Sequence, residues 1–471
     1  MSNEMSSLNE ECGIFGIWNS EKANQLTYFG LHNLQHRGQE GAGIVTGDGK
    51  NMYAHHGLGL LIDVFKNSQI LEGLSGSNGI GHVRYATSGN GDIANIQPFL
   101  FSFGDGNYAL AHNGNLTNAL TLRSQMEDEG TVFKSNSDSE ILMHLIRKSK
   151  KNSLLEKIKE SANVIKGGFA YILLTDNSMI ALRDANGFRP LSIGQREDGS
   201  YVVASETCAL DSVKAEFIRD VKPGEVVTID DNGMKSDFFT DKTSLEPAAM
   251  EFIYFARPDS NIENINIHSA RKRTGKRLAK ESPVKADIVI GIPNSSLSAA
   301  SGFAEQSKLP YEMGLVKNQY VGRTFIQPTQ KLREEGVYQK LSVVKSVVEN
   351  KRVVLVDDSI VRGTTSRQIV KKLKENGATE VHLRIASPPL KYPDFYGIDI
   401  KSQDELIAAN LSMSEMREEL GCDSLEFLSI EGLKESIGIN LCTSNFDGKY
   451  PAPICDYKEE YLKGLRTRDG K

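Results

Sequence analysis

The sequence predicts two domains of different class: an α+β domain of layered antiparallel sheets, then an α/β domain on a parallel sheet. Three observations carry this. Up to about residue 245, short runs of β character are separated by tight polar turns. From about residue 250, near-continuous apolar strands lead through small-residue loops into helices. The chain has 471 residues, enough for more than one hydrophobic core.

In the first half, Cys12–Trp18 (CGIFGIW) opens as a strand. Gly168–Leu174, Met179–Arg183, Leu191–Gly194 and Tyr201–Ala204 follow as strands, joined by turns such as DANGFRP and REDGS. Ser139–Lys150 and Leu154–Ile165 carry helical periodicity, and strands with segregated helices make an α+β layered domain. In the second half, Ala286–Ile292 (ADIVIGI) reads as a buried strand, with a helix from Ser298. Lys351–Val356 is another such strand, which runs through a Gly/Ser/Thr loop into the helix Arg367–Asn376, closed by Gly377. Glu380–Ala386 returns as a strand, and Met413–Ile439 reads as a helical C-terminal extension. The expected organisation is a leader at 1–11, a first domain at 12–245 and a second at 246–471.

Composition narrows the function. With 55 basic and 61 acidic residues the net charge is −6, which excludes a generally polybasic nucleic-acid binder. No apolar run approaches the ~18 residues of a membrane span, so no membrane partner is expected. The N-terminus, MSNEMSSLNEE, lacks the features of a secretory signal, so the expected location is cytoplasmic. The five cysteines, Cys12, Cys208, Cys422, Cys442 and Cys455, form no C-x-x-C pair.

Val353–Ser366 (VVLVDDSIVRGTTS) is the most informative stretch. A buried strand delivers Asp357 and Asp358 to its C-terminal end, where open α/β sheets bind ligands. Ser359, Arg362, Gly363, Thr364, Thr365 and Ser366 follow just before a helix, and suit an anion. The string has no Walker A lysine and no G-x-G-x-x-G fingerprint. Two acids beside a phosphate cradle suit a sugar phosphate with Mg2+ shared between ligand and protein. Taken alone, the acids also read as a solvated strand end and the loop as a helix cap.

The first half carries a second constellation. Cys12 is followed by LQHRGQEGAG (Leu34–Gly43), GHVRYATSG (Gly81–Gly89), AHNGNLTN (Ala111–Asn118) and SNSDSE (Ser135–Glu140). A thiol that cleaves an amide needs a base, an oxyanion hole and a substrate anchor. Asn113 with the backbone of Gly114 suits the oxyanion, Arg84 a substrate carboxylate and Asp138 a substrate ammonium. No single string decides it, and HNGN taken alone also reads as only a turn.

Together these strings resemble two families. VVLVDDSIVRGTTS resembles the type I phosphoribosyltransferase signature. That resemblance implies that Asp357 and Asp358 serve the ribose and Mg2+. It makes Ser359, Arg362, Gly363, Thr364, Thr365 and Ser366 the 5-phosphate loop for phosphoribosyl pyrophosphate (PRPP). It makes GIPNSSLSAA (Gly291–Ala300) the pyrophosphate loop, with Ser295 facing Mg2+, and Lys317–Val337 a mobile lid. The first half resembles the class II glutamine amidotransferases, which are N-terminal nucleophile hydrolases. That implies Cys12, Asn113 and Gly114 as catalytic groups, with Arg84 and Asp138 holding glutamine. In that family the free α-amine of the cysteine is the base, titrating near ~7.7–8.0. Cys12 follows eleven residues, and NEECGIFGIW is similar to members that remove a short propeptide; cleavage between Glu11 and Cys12 is expected.

The joined resemblances imply one overall reaction. PRPP, glutamine and water give 5-phosphoribosylamine, glutamate and pyrophosphate, with ammonia passed between the sites. This would be the committed step of de novo purine (IMP) synthesis. They also imply one Mg2+ per subunit, inhibition by purine nucleotides, and a homotetramer or homodimer. Some relatives with a propeptide carry a [4Fe–4S] cluster on four cysteines. The matching positions here are Ala248, Asp394, Cys442 and Asn445, so no cluster is expected. Another class II amidotransferase would show isomerase or ATP-pyrophosphatase signatures in its second half, which this string fits neither of. A nucleotide-sensing regulator without chemistry would not need both constellations.

Overall fold

The structure is a computed structural model that describes residues 12–85, 93–318, 341–398, 400, 402–459 and 461–463. The expected propeptide, the end of the GHVRYATSG string and nearly all of the expected lid lie outside the described residues.

The first half contains strands β1 (Gly13–Trp18), β2 (Gly41–Gly47), β3 (Met52–Leu58), β4 (Asn78–Arg84), β5 (Phe99–Phe103), β6 (Gly106–Leu116) and β7 (Gly167–Thr175). It continues with β8 (Met179–Arg183), β9 (Ser192–Arg196), β10 (Tyr201–Ala204), β11 (Ala215–Asp220), β12 (Glu225–Asp230) and β13 (Gly233–Phe238). One sheet runs β11-β9-β10-β1-β4-β2-β3 and the other β13-β12-β8-β7-β6-β5. Their pairings are antiparallel throughout, as the dense turn signals predict.

The two sheets pack face to face. Along β1 successive side chains alternate between two cores: Ile14 and Trp18 enter the space between the sheets with Ala111, Ala170 and Ile172, whereas Phe15 and Ile17 face Leu31, Leu34 and Leu210. Helices Ala23–Asn33 and Thr207–Ser212 cover that outer face. Helices Glu140–Lys148 and Leu154–Val164 cover the other sheet through Ile141, Met143 and Ile158. The result is four layers, helices outside and sheets inside. Strands buried on both faces explain why β1 reads as a continuous apolar run rather than an alternating one.

Beyond these sheets come a hairpin, β14 (Asn261–Ile262) with β15 (Ile265–Asn266), and strand β16 (Ile288–Gly291). Further on lie a short antiparallel pair, β17 (Leu315–Lys317) with β18 (Leu341–Val343), then β19 (Arg352–Asp357), β20 (Glu380–Ile385) and β21 (Ser424–Phe427). The sheet β16-β19-β20-β21 is parallel throughout. Val354 and Val356 face helices Ile267–Glu281 and Leu297–Ser307, while Val353 and Leu355 face helix Thr364–Glu375.

Two elements differ from expectation. Met413–Ile439 is not continuously helical: helices Met413–Leu420 and Ile430–Ile437 flank β21, which completes the parallel sheet. Gly421, in the left-handed region at φ 67°, ends the first helix and turns the chain into the strand. The helix expected from Arg367 begins at Thr364, because Gly363 at φ 75° bends the chain sharply at its start. Thr364, Thr365 and Ser366 therefore occupy the first helical turn.

Candidate active sites

In the first half, Cys12 lies immediately before β1, whose Gly13 pairs with Val83 of β4. Its Sγ lies 3.5 Å from the Tyr85 carbonyl, one residue past Arg84, and Arg84 is buried at the end of β4. The neighbouring β6 brings Asn113 and Gly114 to the same region, since His82 of β4 contacts the His112 carbonyl at 3.1 Å. Asn113 is buried, and its side-chain nitrogen has no hydrogen-bond partner among the described residues. An unspent buried donor is costly unless a ligand completes it. Gly114 has φ 145°, and a Cβ there would lie 2.1 Å from the Gly168 carbonyl oxygen.

Asp138 reaches the same strand, accepting the Leu116 amide at 2.8 Å. Burial raises its carboxyl to about 6, against the pull of the hydrogen bonds from Leu116 and Ser139. Beneath it, His112 Nδ1 contacts Ser139 Oγ at 2.8 Å, Gln97 donates to the same oxygen at 3.0 Å, and Tyr171 stacks on the imidazole at 4.0 Å. Burial lowers both His82 and His112 to about 3, so neither is charged at neutral pH.

Sequence reasoning missed what holds Cys12. Arg37, fully buried inside the LQHRGQEGAG string, donates from Nε to the Cys12 carbonyl at 3.2 Å. Its other nitrogens reach Glu206 at 2.6 Å and Glu251 at 2.6 and 3.0 Å. Burial opposes ionisation of Glu206, yet His36 and Arg37 hold its carboxyl well below the usual range. Its immediate neighbours, Gln35, His36, Gly38 and Gln39, are polar or glycine and give no sign of its burial, and its partners lie 169 and 214 residues away.

In the second half, Asp357 ends β19 and Asp358 follows, both nearly buried. Burial and the adjacent charge of Asp358 push the Asp357 carboxyl well up. Burial raises Asp358 too, against hydrogen bonds from Ser295 and Ser359 and the charge of Arg271. Ser295 Oγ donates to Asp358 Oδ2, joining the two loops expected to share a cation. Ser359 donates to Asp358 at 2.7 Å, and Ser366 faces Asp357 at 3.4 Å. Arg362 pairs with Glu405 at 2.6 Å. A small pocket at Asp358 is lined by Arg271, Thr274, Ser295 and the apolar Phe252, Ile253 and Ile437.

Among the described residues no cluster of three or more His, Cys, Asp or Glu is placed to hold a metal. The Asp357–Asp358 pair fits a divalent cation differently. Two mutually repelling acids with a hydroxyl beside them gain from one whose remaining oxygens come from a ligand.

The four positions of the iron–sulfur pattern do converge. Ala248 bridges to Cys442, the Asn445 carbonyl accepts the Lys391 and Tyr392 amides, and the Asp394 carboxylate closes its own turn through Tyr396 and Ile398. Only one thiol is among them, and burial pushes Cys442 up to about 12. The residues do not fit a cluster.

Among the described residues no helix is long and apolar enough to cross a membrane. The family described as "Glutamine amidotransferase domain" matches residues 82–212, and that described as "Phosphoribosyl transferase domain" matches 261–386. The amidophosphoribosyltransferase of Bacillus subtilis is 56% identical over 471 residues, covering 98% of each chain. That of Staphylococcus epidermidis is 55% identical over 475 residues, covering 99% of this chain and 96% of its own. A solved structure of the B. subtilis glutamine PRPP amidotransferase, complexed with ADP and GMP, is 55% identical. It superimposes with a TM-score of 0.90, covering 94% of this chain and 98% of that one.

Proposed function

The chain belongs to the amidophosphoribosyltransferase family of purine biosynthesis, and from that premise we propose how its residues divide the chemistry. The observation that carries the reading is the unspent Asn113 amide beside Cys12, in one chain with the Asp357–Asp358 cradle.

Cys12 Sγ attacks the glutamine side-chain amide, giving a tetrahedral intermediate whose oxyanion is met by Asn113 Nδ2 and the Gly114 amide. Donors of this kind supply about 3–4 kcal/mol each at such sites. Asp138 holds the substrate ammonium and Arg84 its carboxylate. Cleavage after Glu11 frees the Cys12 α-amine, which takes the thiol proton and delivers it to the departing ammonia; water then releases glutamate from the thioester. In the second half, ammonia attacks C1 of PRPP and pyrophosphate leaves. Asp357 and Asp358 hold the ribose hydroxyls. Gly363 and the first turn from Thr364 to Ser366 present amides and hydroxyls to the 5-phosphate, at a helix N-terminus. Asp357, Asp358 and Ser295 would hold Mg2+, one per subunit, which neutralises the leaving diphosphate. The apolar side of the Asp358 pocket excludes water where ammonia must arrive unprotonated.

The same reading takes 12–245 as the glutaminase, 246–471 as the transferase and 1–11 as a removed propeptide. Purine nucleotides inhibit at the phosphate loop, the subunits form a homotetramer or homodimer, and the enzyme works in the cytoplasm without an iron–sulfur cluster.

The test is glutamate release from glutamine with and without PRPP and Mg2+, alongside ammonia-dependent pyrophosphate release. Both activities, with glutamate release stimulated by PRPP, support the reading. Ammonia-dependent synthesis without glutaminase activity refutes the role given to the first site. Silence in both assays points to a binding protein instead.

A further inference from the structure

The elements around Cys12 are held from the second half of the chain by one buried cluster. Glu251 lies on a five-residue turn, Glu251–Phe255, and is completely buried. It accepts two hydrogen bonds from Arg37, whose Nε holds the Cys12 carbonyl. It also lies 3.5 Å from Arg189, which donates from Nε and Nη2 to the Tyr396 carbonyl at 2.9 and 2.6 Å. The next residue, Gly397, is in the left-handed region at φ 123°. A Cβ there would meet the Gly114 backbone at 3.1 Å, so this segment packs directly behind the oxyanion strand. One carboxylate thus braces both the nucleophile and its oxyanion donors.

The turn that carries Glu251 is itself held from the PRPP side. Arg271, buried, donates to the Phe252 carbonyl at 2.7 Å and to the Ala256 carbonyl at 2.8 Å, clamping the turn at both ends. The same guanidinium lines the pocket with Asp358 and Ser295. Burial lowers Arg271 to about 10, and the charges of Asp358 and Glu251 both oppose this, so one cation feels both sites.

We propose that Glu251 is a positioning residue that couples the two reactions: it sets Cys12 through Arg37, and Arg271 ties its turn to the occupancy of the PRPP site. A diphosphate and its cation arriving beside Asp358 change the field on Arg271. Its two carbonyl partners carry the change to the Glu251 carboxylate. In a tightly packed interior such a shift is transmitted rather than absorbed. The inference rests on the glutaminase role given to Cys12.

The experiment compares the processed full-length enzyme with Glu251→Gln. In the wild type, PRPP with Mg2+ should raise the rate of glutamate release by a factor in the range of about 5–150. In Glu251→Gln that stimulation should fall below about twofold, through kcat rather than the KM for glutamine, while ammonia-dependent synthesis stays within about twofold of wild type. Removing one carboxylate from this buried charge cluster threatens folding. The charge-balanced double variant, Arg37→Gln with Glu251→Gln, is therefore read in the same assays, with the same loss expected. Stimulation retained in either variant overturns the proposal. So does a parallel loss of ammonia-dependent synthesis in both, which would mark the cluster as purely structural. A Cys12→Ala variant that still hydrolyses glutamine overturns the underlying reading instead, and shows it before Glu251 is touched.

Discussion

Asn115 donates its side-chain amide to the Phe395 carbonyl at 2.9 Å, bonding the strand that carries Asn113 and Gly114 to the second half of the chain. Thr117 donates its hydroxyl to the Pro453 carbonyl at 2.7 Å, and Asp456 accepts the Leu120 amide at 2.8 Å. The two sites are joined through backbone on both sides of this seam, so perturbing one half should be felt in the other.

Replacing Cys12 with Ala should lower glutamine-dependent synthesis by roughly 10³-fold or more, because no other group supplies the nucleophile. Ammonia-dependent synthesis should persist, since it needs only the second site. Intact mass of the active wild type should show Cys12 as the first residue. Full glutaminase activity with residues 1–11 retained would contradict the mechanism.

Asp138 gives a pH signature. Its carboxyl must be ionised to hold an ammonium, so kcat/KM for glutamine should fall by about tenfold per pH unit below about 6. Ammonia-dependent synthesis, corrected for the ammonia fraction, should lack this limb. The folded-state pKa is raised from 3.8 to about 6, so its ionisation opposes folding. The stability from the protonated form is full below 3.8 and is lost as pH rises through about 6. Asp138→Asn should therefore abolish glutamine use yet stabilise the protein at pH 7, by on the order of 2–3 kcal/mol. Thermal unfolding at pH 4 and pH 7 checks the sign.

The raised Asp357–Asp358 pair predicts proton release. A cation and diphosphate favour the doubly ionised pair, so binding of PRPP with Mg2+ should expel protons at any pH where the free pair still holds one. Calorimetry in buffers of different ionisation enthalpy would measure this. Asp357→Ala should remove the release and both synthetic activities, and a chelator should stop synthesis in the wild type.

Gly114→Ala should cost at least about 2 kcal/mol, because it combines a forbidden φ with a backbone clash against Gly168. Chemical denaturation would read the loss. If the Gly114 amide serves as the proposed oxyanion donor, glutaminase activity should fall further than ammonia-dependent synthesis.

Strands and loops with a local signature were legible early. Met179–Arg183 and Tyr201–Ala204 coincide with observed strands, because a short apolar run between polar turns has few alternatives. Asp357 and Asp358 were legible because a buried strand ending in two acids is a local statement. Strand β21 was not, since its four residues gain strand geometry only by pairing with β20. The pairing of Arg362 with Glu405 was not legible either, since the two lie 43 residues apart.

The chain's own text determined its two classes of sheet and the residue types of both constellations, because these depend on periodicity and on neighbours within a few positions. Only the tertiary structure decided that Arg37 holds Cys12, that Glu251 crosses from the second half to hold Arg37, and that Arg271 clamps the turn beneath it. A buried charge must find its partner wherever the fold brings one, and no local pattern encodes a partner 214 residues away.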